Sequence, residues 1–402
     1  MSFHSIQVLF VALLCVSTLS ADPHSQPHPI MAGEPPAPGE SLVVDTLEPR
    51  SPASRIPVVE LATLLDLDTL IDRIADRRVI FIGESHDRYE DHLTQLAVIQ
   101  GLHARGRPLA IGMEFFQQPF QEVLDAYVAG EIDEAELLRR SEYFERWRYD
   151  YRLYRPILTF AREQGVPIIA LNLESELTRR VGEVGIDGLD DEQRARVPDD
   201  LDGGDAAYRE RLKAIFAQHP NERGQDVEHF IEVQLLWDEG MAHRAASYLS
   251  DESERTLVVL AGSGHVEYGV GIPSRLQRRL DVPVATILNG NQRSMHPAAA
   301  DFFVYPQRVD LPEPGRLGVM LESGIGEEGA RILGFAEGSS AQEGGLKAGD
   351  RIVQIGEQPI ATYADVRIAL VDGLPGERVP VSVLRKRTLG GDERLAFEVE
   401  LR

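Results

Sequence analysis

Five short apolar runs, separated by longer stretches of helical spacing, constrain the fold of this chain more than any other feature. The runs are Val79–Ile82, Leu109–Met113, Pro167–Leu171, Leu257–Ala261 and Val284–Leu288. Between them, Tyr89–Ala104, Glu134–Phe144, Leu153–Gln164, Ala206–Gln218, Asp226–Ser250 and Ser274–Leu280 repeat their apolar residues at the helical period. Strands that are apolar throughout are buried on both faces, and strands alternating with helices imply parallel crossovers. The expected class is therefore α/β, with a mostly parallel central sheet covered by helices on both faces, over residues 58–308. The acidic, glycine-containing piece Glu183–Asp205 reads as a loop or lid.

The flanks read differently. Residues 1–21 contain an apolar run, Val8–Val16, too short to span a bilayer and followed by small residues near Ser20 and Ala21. This is the pattern of a secretion signal, so the expectation is an exported, periplasmic protein. Lipid anchoring at Cys15, the single cysteine, ranks second because bulky Leu14 precedes it. Residues 22–57 are proline-rich and poor in aromatics, as in a disordered linker. A second linker, 309–315, holds Pro312 and Pro314. Residues 316–402 then change to short strands and tight turns, the pattern of a small β-rich domain. The formal net charge of −24 excludes general nucleic-acid binding, because a phosphate backbone is repelled.

In open parallel sheets, ligands bind beyond the carboxyl ends of the strands. The residues there are Gly83-Glu84-Ser85-His86, Glu114, Asn172, Gly262-Ser263-Gly264-His265 and Asn289. Two strands thus end in Gly-x-x-His, with glycine permitting a sharp turn off the sheet. Two chemistries are open. His86, His265 and Glu114 could ligate a divalent metal. Alternatively, Glu84, His86, Glu114 and His265 could form a metal-free acid–base group. The helix Asp226–Ser250 carries Gln234 and Asp238 on one face, within reach as supporting groups. A cluster of Tyr143, Phe144, Trp147, Tyr149, Tyr151 and Tyr154 is interleaved with arginines, Arg155 among them. Flat faces beside guanidinium groups suit a planar acidic cofactor such as haem; the competing reading is core packing with exposed arginines.

Taken in order, Ile82-Gly83-Glu84-Ser85-His86, Met113-Glu114-Phe115, Tyr154-Arg155-Pro156, Ala170-Leu171-Asn172, the Gln234–Met241 helix and Gly262-Ser263-Gly264-His265-Val266-x-Tyr268-Gly269-x-Gly271-Ile272-Pro273 resemble the ChaN-like haem-binding family. The resemblance implies an exported, iron-regulated, often lipid-anchored protein of haem or iron uptake, with haem held at a homodimer interface by tyrosine. Tyr268 is the first candidate ligand, with Tyr208 and Tyr154 in reserve. The same Gly-x-x-His pair resembles the wider Tiki and erythromycin-esterase superfamily, which implies the alternative of a hydrolase, some members using a metal. Farther on, Ser339-Ser340-Ala341 followed by Gly345-Leu346-Lys347-Ala348-Gly349-Asp350-Arg351-Ile352 resembles the bacterial PDZ signature. It implies docking of a peptide or protein carboxyl terminus at the loop Arg316-Leu317-Gly318-Val319, flanked by a helix over Tyr363–Val371.

Overall fold

The computed structural model describes residues 59–203, 205–217, 226–291, 293, 295–322, 328–387 and 391–402. The expected secretion signal and proline-rich linker lie outside these residues. The first part of the chain runs α1 (Leu67–Ile74), β1 (Val79–Glu84), α2 (Tyr89–Ala104), β2 (Leu109–Gln117), α3 (Gln121–Val128), α4 (Glu134–Arg140), α5 (Tyr143–Arg146), α6 (Arg155–Gln164) and β3 (Ile168–Asn172). It continues through α7 (Ser175–Val184), α8 (Asp191–Arg194), α9 (Ala206–Ala217), α10 (Val227–Asp251), β4 (Thr256–Gly262), α11 (Ser263–Val266), α12 (Ile272–Arg279), β5 (Val284–Asn289) and β6 (Phe302–Val304).

These strands form one parallel sheet in the order β3-β2-β4-β1-β5-β6. Successive strand residues point to opposite faces, and each face has its own core. Ile80, Ile82, Ile111, Met113, Val258 and Leu260 face a core completed by α1, α2 and α6. Val79, Phe81, Ala110, Leu257, Val259 and Ala261 face a second one, closed by α10 and α12. Both faces are therefore covered, as the unbroken apolar runs require.

Three local readings change. The expected helix Glu134–Phe144 is two helices, because Glu142 takes the left-handed conformation (φ 51°) between α4 and α5. The piece Glu183–Asp205 contains α8 and is held down: the Asp200 carboxylate bonds Arg279 at 2.5 Å. The short strand β6 lacked a sequence signal, being only three residues long at the sheet edge.

The second sheet, residues 319–400, has the order β12-β11-β9-β8-β7 and is antiparallel. Its elements are β7 (Val319–Leu321), β8 (Ala330–Phe335), α13 (Ser340–Glu343), β9 (Arg351–Ile355), β10 (Gln358–Pro359), α14 (Tyr363–Ala369), β11 (Arg378–Arg385) and β12 (Glu393–Glu400). α14 starts in a capping box, Thr362 bonding the Asp365 N–H while the Asp365 carboxylate returns to the Thr362 N–H. No helix among the described residues is long and apolar enough to cross a membrane.

Candidate functional site

Topology builds the site. β2, β4 and β1 are neighbours in the centre of the sheet, so Glu114, His265 and the Glu84–His86 pair arrive at one edge although they lie far apart in sequence. Glu114 is not at a strand end, since β2 runs on to Gln117. It sits where the pairing of β2 with β3 becomes irregular, between Met113 and Gln117. There its Oε2 accepts the Gly262 N–H at 2.7 Å. The glycine of the second Gly-x-x-His has an ordinary extended backbone (φ −53°, ψ 137°), so turn freedom is not its role. A Cβ at Gly262 would stand 3.0 Å from His86 Cε1 and 3.1 Å from Nε2. The glycine gives the imidazole room to approach β4.

Each histidine is fixed by its own carboxylate. His86 Nδ1 lies 2.6 Å from Glu84 Oε1. His265 Nδ1 lies 2.6 Å from Asp238 Oδ1, which α10 supplies. His265 Nε2 is 3.5 Å from Glu114 Oε1. All five side chains are buried. The sequence reading missed His92, on the first turns of α2. Its Nδ1 lies 2.8 Å from Glu84 Oε2 and its Nε2 bonds the His86 carbonyl at 3.2 Å. Glu84 thus bridges two imidazoles. The available signal was an acidic residue followed by a second histidine one helical turn into the next element.

The charge balance follows from these contacts. Burial alone would raise the Glu84 carboxyl, yet the charges and hydrogen bonds of His92 and His86 hold it well below the usual range. Burial would lower His86 and His92, but Glu84, joined by Glu114 in the case of His86, holds both above the ordinary imidazole value. His265 is pushed up to about 9 against its burial, by Glu114 and Asp238. At His265 the crevice therefore holds an imidazolium–carboxylate pair at neutral pH, while at His86 and His92 the shared carboxylate favours the protonated ring. Among the described residues no group of three His, Cys, Asp or Glu could hold a metal ion, so the metal reading of His86, His265 and Glu114 has no support in the geometry.

The walls differ on the two sides. Over His86 lie Trp147, edge-on at 4.9 Å between ring centres, and Tyr149 at 5.0 Å. Next to His265, α9 covers a cavity of about 10 Å³ lined by Tyr208, Arg211, Gln234, Asp238 and His265. That is room for about one water molecule, far short of a small-molecule site.

The three tyrosine candidates separate by exposure. Tyr154 is fully buried and donates to the His86 carbonyl at 3.1 Å. Tyr208 is buried and donates to Asp238 Oδ2 at 2.6 Å. Tyr268 is 45% exposed, in a left-handed backbone (φ 60°, ψ 4°) that is unusual for a tyrosine. Its ring lies 5.8 Å from His296 and under the Arg211 guanidinium at 5.5 Å, with exposed Met295 and Tyr305 on the same part of the chain. Arg155 is not placed for a cofactor, because it pairs with Glu134 and with Asp372 of the second sheet's domain. Most of the aromatic cluster is core: Tyr143, Phe144, Tyr151 and Tyr154 are all buried.

In the second domain, Gly318 of the expected carboxylate loop is left-handed (φ 72°) and backs onto Ser339, whose Oγ donates to the Leu317 carbonyl at 3.1 Å. Arg316 exchanges backbone hydrogen bonds with Arg402 at 2.8 and 3.0 Å. Val319 opens β7, the outer strand of its sheet.

Comparison with known families matches residues 70–276 to the haem-binding uptake, Tiki superfamily, ChaN family, and residues 307–384 to the PDZ domain. The Arabidopsis thaliana protein RETICULATA-RELATED 5, chloroplastic, is 25% identical over 226 residues, covering 52% of this chain. The matched stretch spans only 30% of that relative. The solved structure of cofacial haem binding to ChaN of Campylobacter jejuni superposes with a TM-score of 0.50 at 16% identity. That superposition covers 60% of this chain and 92% of the other. At that identity the likeness concerns the fold.

Proposed function

Because the chain belongs to the haem-binding uptake, Tiki superfamily, ChaN family through residues 70–276 and carries a PDZ domain at 307–384, we propose that it is an exported haem-binding protein whose PDZ domain docks a peptide carboxyl terminus. The observation that carries the haem reading is Tyr268, the exposed phenol among the three candidate tyrosines. Its strained backbone presents the ring outward beside His296, and the Arg211 guanidinium supports the ring from behind. A phenolate is an established type of haem-iron ligand, and haem would supply the iron centre itself. The residues present fit that group: Tyr268 as ligand, with exposed Met295 and Tyr305 as apolar surface for the macrocycle. The cavity next to His265 is small and enclosed, so the haem would lie on the outer face. On the outer face the haem would leave its other side open to a second copy of the chain, the homodimer that the family resemblance implies.

Hemin titrated into the purified protein is expected to give a saturable Soret shift that Tyr268→Phe largely removes. No saturable spectrum at any stoichiometry would falsify the reading, and an unaltered spectrum in Tyr268→Phe would move the ligand elsewhere. The export reading predicts that the amino terminus of the protein recovered from a periplasmic fraction begins near Ala21 or Asp22. Recovery with an intact Met1 defeats it.

A second reading is favoured by the paired dyads. Two buried imidazoles, each oriented by a carboxylate and facing Glu114 between them, form an acid–base arrangement beyond what a haem shelf needs. Since His265 stays protonated up to about pH 9, it would act as a proton donor at neutral pH and not as a base. An esterase and peptidase screen comparing wild type with His86→Ala tests this. Turnover that survives the substitution unchanged, or no turnover on any substrate, removes the hydrolase.

A further inference from the structure

One helix serves two cores. α14 turns Val366 into the interior of the PDZ sheet, while its Ala364 and Ile368 are buried in the large core of the first domain. The attachment is also polar. Arg139 of α4 donates to Asp365 at 2.8 Å, and Asp372, just beyond α14, pairs with Arg155. Arg367 places its guanidinium 4.8 Å over the Phe144 ring of α5. Together α14 and β7 are the elements that would flank a peptide added to the edge of the second sheet. The helical wall of that groove is thus fixed to the first domain.

What it is fixed to is strained. α5 and Trp147 are bracketed by two non-glycine residues in the left-handed region, Glu142 (φ 51°) and Arg148 (φ 74°). Such backbone persists only where its surroundings over-determine it. Within the same segment the Tyr143 hydroxyl is buried with no hydrogen-bond partner among the described residues, a further unfavourable feature. The far end of the segment rests on the site. Trp147 and Tyr149 pack on the His86 ring, and Trp147 Nε1 donates at 3.0 Å to Tyr154 Oη, itself bonded to the His86 carbonyl.

We propose that residues 142–149 form a bistable strut through which occupancy of the groove between β7 and α14 is transmitted to His86. The inference rests on the peptide-docking reading above. A peptide side chain entering the groove presses on α14, α14 shifts against Phe144, and the strained segment re-seats Trp147 on the imidazole. Small displacements suffice because packed interfaces switch between discrete arrangements. The coupling is reciprocal: whatever peptide binding does to the Trp147–His86 contact, a change in that contact does to peptide affinity.

The sequence holds two tryptophans, so full-length protein carrying Trp237→Phe reports Trp147 alone. In that background Arg367→Ala removes the contact with Phe144. The strut requires an altered Trp147 emission maximum and yield while circular dichroism shows the fold retained; an unaltered spectrum overturns it. The second arm adds pentapeptides with free carboxyl-terminal Val, Leu, Phe or Ala, and their amides as controls, with binding followed by calorimetry. Free-acid binding that changes Trp147 emission supports the strut, as does a Trp147→Phe variant whose peptide affinity differs by about fivefold. Binding that leaves the emission unchanged overturns it. If no peptide binds, the docking reading falls and the coupling loses its input, whatever the first arm shows about α14 and Trp147.

Discussion

The two Gly-x-x-His loops are alike in sequence and in the bond each histidine makes, yet they stand in different surroundings. His86 is enclosed: Glu84 is shared with His92, and Trp147, Tyr149 and Tyr154 close over it. His265 lies against the cavity, and its carboxylate partner Asp238 is held from the other side by Tyr208 on α9. The first dyad is built for rigidity, with two imidazoles around one buried carboxylate. The second keeps a water-sized cavity beside its imidazole, although His265, Asp238 and Tyr208 are all buried.

The comparison breaks most decisively at Glu84. Glu84→Ala removes the one carboxylate that both His86 and His92 bond, and removing one partner of a buried ion pair costs about 3–5 kcal/mol. Asp238→Ala is expected to cost less, because Glu114 still faces His265 at 3.5 Å. Urea denaturation of both variants measures the order, and equal losses would mean that the two dyads are energetically equivalent. The pH dependence sharpens the same point. Glu84 is lowered from 4.5 in the fold, so its contribution is present above that value and is lost as the pH falls below it. His265 is raised from 6.5 to about 9, so its contribution is complete below 6.5 and is lost as the pH rises through about 9. The denaturation midpoint of the wild type should fall on both limbs. Asp238→Asn should pull the alkaline limb to lower pH and leave the acid limb in place.

A smaller effect is expected at the contact between the loops. Gly262→Ala brings a methyl group to 3.0 Å from His86 Cε1, and overpacking of this kind costs about 1–3 kcal/mol. A Gly262→Ala protein as stable as wild type would show that His86 does not need the room.

Much of this was legible in the sequence for identifiable reasons. Strands buried on both faces leave unbroken apolar runs, so β1 to β5 were visible, as were the strand-end residues that ligands use in such sheets. Asp238 was placed on the correct helix face by spacing, but its bond to His265 is a contact across the fold. His92 was missed because a histidine on a helix beginning has no periodic signature; only the folded chain shows that it shares Glu84. The break after α4 depends on one left-handed glutamate, a residue type that gives no warning of it. The burial of Tyr154 against His92 and Phe115, the bond of Tyr208 on α9 to Asp238, and the use of Arg155 as a domain link all depend on contacts between distant parts of the sequence.

The smallest expected effect tests whether the dyad beside the cavity has its own support. Tyr208 donates to Asp238 Oδ2 at 2.6 Å while Oδ1 faces His265, and the Arg275 guanidinium lies 4.3 Å over the tyrosine ring. Tyr208→Phe keeps the ring and its contact with Arg275 but removes the hydroxyl, so the stability loss should be about 1.5 kcal/mol, the low end for a single hydrogen bond to a charged group. The informative readout is the His265 ring, followed by nuclear magnetic resonance as the pH is raised. With one donor gone, Asp238 interacts more fully with the imidazolium, and the His265 midpoint should move further up. The His86 midpoint should stay where it is, since Tyr208 touches nothing in that dyad. Equal movement of both midpoints would show that the two loops act as one charge network, and the distinction between a histidine under aromatic rings and one beside a cavity would then be one of packing alone.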